Sequence, residues 1–298
     1  MKKILAFATL IFLNHTILNH TLAQNIVASG EKPVKISSDY RFTEGPAADA
    51  EGNVYFTDQP NNHILKWSVN GEISVFMENC GRSNGLYFDN NGKLLACADE
   101  NNELWSINTK TKEHKVILED FEGKKINAPN DLWVAPNGGI YFTDPFYKRE
   151  YWSNQNRKAI KENVYYISPD RKTVRVVEDE VVKPNGIIGT PNGKTLYVAD
   201  IGDSKTYSYT INEDGSLTDK KFFCEMGSDG MTLDEQGNVY LTGKGVTVFN
   251  PKGEKILNIP INQDWTANVT FGGKDNDLLF ITAMNSVYTL KMNVKGTR

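Results

Sequence analysis

Short apolar runs separated by polar, glycine-bearing turns fill the chain from about residue 40 onward. One pattern recurs: a turn with Gly, then a run of Val, Tyr, Phe, Ile or Leu, then often Asp. It reads ADAEGNVYFTD from Ala48, FDNNGKLLACAD from Phe88 and VAPNGGIYFTD from Val134. It continues as GTPNGKTLYVAD from Gly189 and LDEQGNVYLTG from Leu233, with a weaker copy, FGGKDNDLLFITA, from Phe271. Each turn suits a hairpin that needs positive φ, and each apolar run predicts a buried strand. Further short strands are predicted at HILKWSV, ELWSINT, NVYYISP and KTYSYTI, whereas extended helical periodicity is hard to find.

The repeat glycines are Gly52, Gly92, Gly138, Gly193, Gly237 and Gly273, spaced 40, 46, 55, 44 and 36 residues apart. A repeat of this length with four strands per copy is the signature of a propeller blade. Six copies predict an all-β fold, a six-bladed β-propeller with four-stranded blades. The segment from about Ile26 to Tyr40 is expected to pair with the last blade near Asn285 to Met292, closing the ring and protecting an edge.

The first residues have a different character. A basic MKK, an apolar ILAFATLIFL and small residues at Thr21-Leu22-Ala23 have the form of a secretory signal peptide. The competing reading is a buried strand or membrane anchor. The domain expectation is therefore a signal over 1–23 and one propeller over 24–298, exported to the periplasm or secreted. No later apolar run is long enough for a membrane helix. The formal net charge of -4 gives no argument for a nucleic-acid partner. Loss of Lys2 and Lys3 with the leader would bring it to about -6.

Composition removes several chemistries. Beyond the leader only His63 and His114 remain, both in polar strand-and-turn contexts. Neither a His-rich metal site nor a Ser-His-Asp triad is well supplied, and no GxSxG, HExxH, P-loop or CxxC is present. Cys80, Cys97 and Cys224 are three in number, so a monomer keeps at least one free thiol.

A second repeated position lies just before each hairpin. The copies read Glu44-Gly45-Pro46, Ser83-Asn84-Gly85, Pro129-Asn130-Asp131, Pro184-Asn185-Gly186, Ser228-Asp229-Gly230 and Ala267-Asn268-Val269. In the first five, the polar residue precedes the repeat glycine by 8 positions. If these segments are the innermost strands, Glu44, Asn84, Asn130, Asn185, Asp229 and Asn268 ring a central channel. All bear oxygen, which suits a hard cation such as Ca²⁺ or Mg²⁺. Repeated turn chemistry would also place Asn and Asp before a strand. Glu44 is not a turn residue and favours the cation.

The motifs EGP, APNDLWV, KPNGI and SDGMTLDEQGNVYLT, in this order, resemble those of the senescence-marker-protein/gluconolactonase family, from about residue 38 to the C-terminus. FTDPFYKREYW resembles an insertion of its bacterial gluconolactonase-like members. The resemblance implies a six-bladed propeller with one divalent cation in the channel, held by a Glu, two Asn and an Asp. Motif by motif these are Glu44, Asn130, Asn185 and Asp229. It implies Ca²⁺ first, with Mg²⁺, Mn²⁺ or Zn²⁺ also compatible, and a small-molecule sugar lactone as substrate. Vertebrate members carry a substrate-contacting Arg two residues before the PND-type Asn. Here that place is Ala128, so sugar recognition is expected from Lys125, Asn127 or the insertion. Related paraoxonases add a structural calcium through an Asp directly after the first Glu. Here that residue is Gly45, and no second site is expected.

The implied activity is metal-dependent opening of sugar lactones, with Asp229 as the base that activates water. Asn84 is expected to line the substrate pocket, and Asn268 to pack along the channel. In the 145–163 segment, Tyr147, Tyr151 and Trp152 are expected to stack on a sugar, and Lys148 or Arg149 to meet a carboxylate. A solvated hairpin extension is the alternative for that segment. Alternatives for the whole are an esterase or other sugar-modifying enzyme on the same site, or a ligand-binding propeller without catalysis.

Overall fold

The structure, a computed structural model, describes residues 26–152 and 161–297. The expected leader, 1–23, and part of the expected insertion, 153–160, lie outside the described residues. Six four-stranded antiparallel sheets form the molecule. Their innermost strands are Thr43–Ala48, Ser83–Phe88, Leu132–Val134, Pro184–Gly189, Met231–Leu233 and Asn268–Gly272. Each contacts the innermost strand of the next blade, and the sixth contacts the first. This is the six-bladed propeller that the repeat predicts.

Five blades use four consecutive strands. The sixth takes its outer strand from the other end of the chain: Val34–Ser37 pairs antiparallel with Ser286–Lys291. Val27 adds a bridge to Met292. Closure is thus where the sequence places it, and it covers the backbone edge of the last hairpin.

The apolar runs are buried on both faces because each sheet packs against two neighbours. Phe56, Phe142 and Leu241 occupy second strands at 0 % exposure. One core cluster joins Trp133 and Tyr141 of blade 3, Leu196 and Val198 of blade 4, and Leu241 of blade 5. Cys80, Cys97 and Cys224 are buried and free, each pushed up in pKa by burial. Among the described residues no helix is long and apolar enough to cross a membrane.

The Thr and Asp residues at the ends of the second strands are scaffolding. Thr57, Thr143 and Thr242 donate their hydroxyls to the carbonyls of Asn84, Asn185 and Ala267, each on the next blade's inner segment. Asp58, Asp144 and Asp200 accept main-chain N–H groups in their own blades. The donors are Arg41 and Phe42, Asn127 and Ala128, and Val182 and Lys183. In each case these lie three and two residues before Glu44, Asn130 or Asn185. The loop that delivers each of those side chains is therefore pinned by a carboxylate.

Candidate functional site

Three inner segments carry a β-bulge at the polar residue, so two successive residues face one residue of the second strand. The register shifts between Glu44 and Ala47, between Ser83 and Leu86, and between Pro184 and Ile187. The result is two stacked rings of positions around the axis.

The upper ring holds Glu44, Asn84, Asn130, Asn185 and Asp229. The sixth expected member, Asn268, is not in it. Asn130 N–H donates to the Thr143 carbonyl as Ala267 N–H does to that of Thr282. Asp131, Gly230 and Asn268 each donate N–H to the hydroxyl of the corresponding Thr. Ala267 therefore occupies the upper ring, and Asn268 belongs one level down with Asp131 and Gly230. The sixth turn explains the slip. There Asn276, at φ 57°, donates to Gly273 as Gly52 donates to Asp49, so Gly273 starts the turn and is not the repeat glycine.

The lower ring is Gly45, Gly85, Asp131, Gly186, Gly230 and Asn268. Asn268 Nδ2 donates to Asp131 Oδ2 at 3.4 Å across the channel. The glycines make room for this pair. A Cβ on Gly85 would lie 2.7 Å from Asp131 Oδ1, and one on Gly230 would lie 2.0 Å from Asn268 Oδ1. Burial pushes the Asp131 carboxyl up to about 8. Asp131 and Asn268 thus form a floor. A cavity of about 480 Å³ lies beyond it, lined by Asp131, Asn268, Tyr87, Trp133, Ile188 and Phe271 among others, but by no member of the upper ring. Paired carboxylates and an unpartnered amide oxygen, the features that chemistry would use, stand above the floor, so the candidate site is placed there.

Above the floor, Asn185 is the hub. Its Nδ2 donates to Asp229 Oδ1 at 2.9 Å and to the Tyr147 hydroxyl at 3.0 Å. Those bonds fix the amide, and its Oδ1 is buried without a protein partner. Trp265 Nε1 donates to Asp229 Oδ2 at 2.7 Å. Both Asp229 oxygens therefore already accept a bond. A carboxylate has about four lone-pair sites, so each oxygen retains capacity. Glu44 Oε2 accepts Gly45 N–H at 3.0 Å. Burial first, then repulsion from Asp229, holds Glu44 well above the usual carboxylate range. Burial also pushes Asp229 up to about 6, against the lowering effects of Trp265, Asn185 and Arg149. Asn84 and Asn130 join the group by their places in the ring.

These residues fit a hard divalent cation. The donors are all oxygen, the two carboxylates repel one another, and the Asn185 oxygen is left as an oriented acceptor. Among the described residues no three His, Cys, Asp or Glu side chains gather as a metal cluster. The candidate set does not need three, since its other two donors are amides.

The start of the insertion crosses the mouth. Arg149 Nε contacts Asp99 Oδ2 at 2.6 Å, and Trp152 Nε1 donates to the Asp99 carbonyl at 3.1 Å. Gln59 Nε2 donates to the Tyr151 hydroxyl at 2.7 Å. Lys183 Nζ donates to the Phe146 carbonyl at 3.0 Å. Residues 146–152 are thus a strap tied to blades 1, 2 and 4. Its aromatic faces meet cations: Lys183 and Arg149 lie 4.6 and 5.5 Å from the Tyr147 ring, and Arg82 lies 4.5 Å from that of Tyr151. Trp152 is buried as an anchor. Protein contacts place the three aromatics expected to stack on a sugar: Tyr147 directs its hydroxyl to Asn185, and Tyr151 and Trp152 hold the strap. Arg149 pairs with Asp99, so the expected carboxylate partner is the protein's own.

Two expected substrate contacts fall elsewhere. Lys125 is exposed and donates to the Asn101 carbonyl at 3.3 Å. Asn127 is fully buried, and its Nδ2 donates to the carbonyls of Asp144 and Lys161. It buttresses the loop before Asn130. Trp265 is a site neighbour that the repeat does not reveal, whereas Gln59 and Asp99 open matching 3-10 turns after the second strands of blades 1 and 2.

Comparison with known proteins agrees with this architecture. A family model described as the SMP-30/Gluconolactonase/LRE-like region matches residues 42–285. A gluconolactonase of Zymomonas mobilis is 27 % identical over 290 residues, covering 88 % of this chain and 81 % of the relative. The lactonase drp35 of Staphylococcus saprophyticus is 33 % identical over 245 residues, covering 76 % of this chain and 72 % of the relative. Among solved structures, a gluconolactonase of Xanthomonas campestris superposes with a TM-score of 0.83 at 25 % identity, covering 92 % and 93 % of the two chains.

Proposed function

The chain belongs to the SMP-30/gluconolactonase/LRE-like family, and from that premise we propose that it is a lactonase that opens sugar lactones at the upper ring of the channel. The observation that carries the reading is the buried Glu44–Asp229 pair beside an Asn185 oxygen with no protein partner. Relatives named gluconolactonase and lactonase support the reaction class.

Glu44, Asn130, Asn185 and Asp229 would hold one divalent cation, Ca²⁺ by preference, since their oxygens are hard donors. Such a cation supplies Lewis acidity toward a lactone carbonyl. The two amides are neutral, so they would add no negative charge beyond that of the two carboxylates and would not weaken that Lewis acidity further. Asp229 accepts the proton of the attacking water through a remaining lone pair and returns it to the ring oxygen as the acyl–oxygen bond breaks. Asn185 holds Asp229 at 2.9 Å, and Trp265 fixes the other carboxylate oxygen. Asn84 lines the pocket wall, and the strap over the mouth excludes water.

A pH-stat screen of aldonolactones, with and without chelator, on the wild type and Asp229→Asn tests this. The expected result is turnover that chelator abolishes and a divalent cation restores, with a loss of about 10² or more in Asp229→Asn. Turnover indifferent to chelator would remove the cation from the reaction. Ester hydrolysis without lactone opening would move the assignment to an esterase.

A further inference from the structure

Tyr147 stands apart from the other strap aromatics because its hydroxyl enters the site. The oxygen accepts the Asn185 Nδ2 proton at 3.0 Å. A phenol that accepts there must direct its own proton elsewhere, and among the described residues that proton has no acceptor. The same Asn185 Nδ2 donates to Asp229 Oδ1 at 2.9 Å, so the phenol stands one amide nitrogen away from the buried carboxylates. The ring is not free to swing. Lys183 lies 4.6 Å from its centroid and is itself tied to the Phe146 carbonyl at 3.0 Å. Arg149 lies 5.5 Å from the same ring and is locked to buried Asp99 at 2.6 Å. The strap therefore presents a preoriented O–H donor over the upper ring, on the side opposite the Asp131–Asn268 floor.

We propose that Tyr147 is a catalytic residue: oriented by Asn185, its hydroxyl donates a hydrogen bond to the acyl oxygen of the bound lactone. This inference rests on the lactonase reading above. When water adds to the acyl carbon, negative charge moves onto that oxygen. A donor already held in place stabilises the charge without reorganising. The proton stays on Tyr147 throughout, and no bond to it forms or breaks. The assignment also gives the insertion a chemical role: its first tyrosine supplies a hydroxyl donor, a group absent from the six inner strands at this level, whose side chains are carboxylates, amides and Ala267.

The test is Tyr147→Phe, which removes one oxygen and keeps the ring beside Lys183 and Arg149. Three quantities are measured on the full chain: kcat and KM for the best aldonolactone, Ca²⁺ affinity by titration calorimetry, and the melting temperature. The expected result is a kcat lower by about 10- to 100-fold, with KM changed less than about 3-fold. Ca²⁺ affinity and melting temperature should stay at the wild-type values. A kcat within about 2-fold of wild type overturns the assignment. Loss of Ca²⁺ affinity in step with kcat also overturns it, because Tyr147 would then only position Asn185. If the Ca²⁺-loaded wild type opens no lactone, the lactonase reading fails and takes this inference with it. An active wild type with an equally active Tyr147→Phe sinks the inference alone.

Discussion

Glu44 and Asp229 define the electrostatics of the channel. Both are held above their ordinary pKa, chiefly by burial, and Glu44 is raised further by the charge of Asp229. Without a counter-charge the ionised pair works against folding, and with a divalent cation it becomes a binding site. Removing one charge should therefore have opposite effects in the two states. In chelator, Asp229→Asn is expected to be more stable than wild type by about 1 kcal/mol, the worth of about one unit of pKa shift. The rise in melting temperature that Ca²⁺ gives wild type should vanish in the variant. Calorimetric scans of both proteins with chelator and with Ca²⁺ read both outcomes. This pair was legible in the sequence because the offset to the repeat glycine marks the position in five blades. Trp265 was not legible, since a single aromatic with no periodic counterpart reads as packing. Asn268 was misplaced because the sixth turn begins with its glycine, so counting from that glycine loses the register.

The inner strands owe their shape to the residue after each polar side chain. In four blades it is Gly45, Gly85, Gly186 or Gly230, and the neighbouring blade occupies the space where a Cβ would stand. Gly45 is the strictest case: its φ is +45° and an added Cβ would lie 2.1 Å from the Asn84 carbonyl oxygen, which is main chain. Gly45→Ala is expected to cost about 2–4 kcal/mol, by combining overpacking with an unfavourable φ. A urea titration showing less than about 1 kcal/mol would mean that the blades separate easily at this level. The strands themselves were readable from their apolar runs. The bonds that set their mutual height were not, because the Thr hydroxyls of the second strands end on main-chain carbonyls of the next blade, which leave no side-chain signature.

The closed ring makes the two ends of the chain interdependent. Val34–Ser37 is the outer strand of the sixth blade, and Thr43–Ala48, a few residues on, begins the first. Deleting residues 26–37 would bare the edge of Ser286–Lys291 and loosen the junction between first and last blades. A loss of about 3 kcal/mol is expected, which lowers the melting temperature by about 5 °C for a chain of this size. Concentration-dependent aggregation through the bared edge should accompany it. Light scattering during a thermal scan, against a chain lacking only residues 1–23, measures both. Blade count and closure were visible from the repeat alone. The strap was visible only as an insertion, because its course depends on single anchors, Asp99, Gln59 and Lys183, that lie in three other blades.

The Asp131–Asn268 floor makes the channel a blind alley. Under the lactonase reading, a compact uncharged ring goes in and a longer, anionic hydroxy acid must back out by the same doorway, beneath the same strap. Arrival and departure then share one lane, so accumulating product excludes fresh substrate by occupancy alone. Under that reading, clearing the doorway is a step of turnover in its own right, separate from breaking the ester bond.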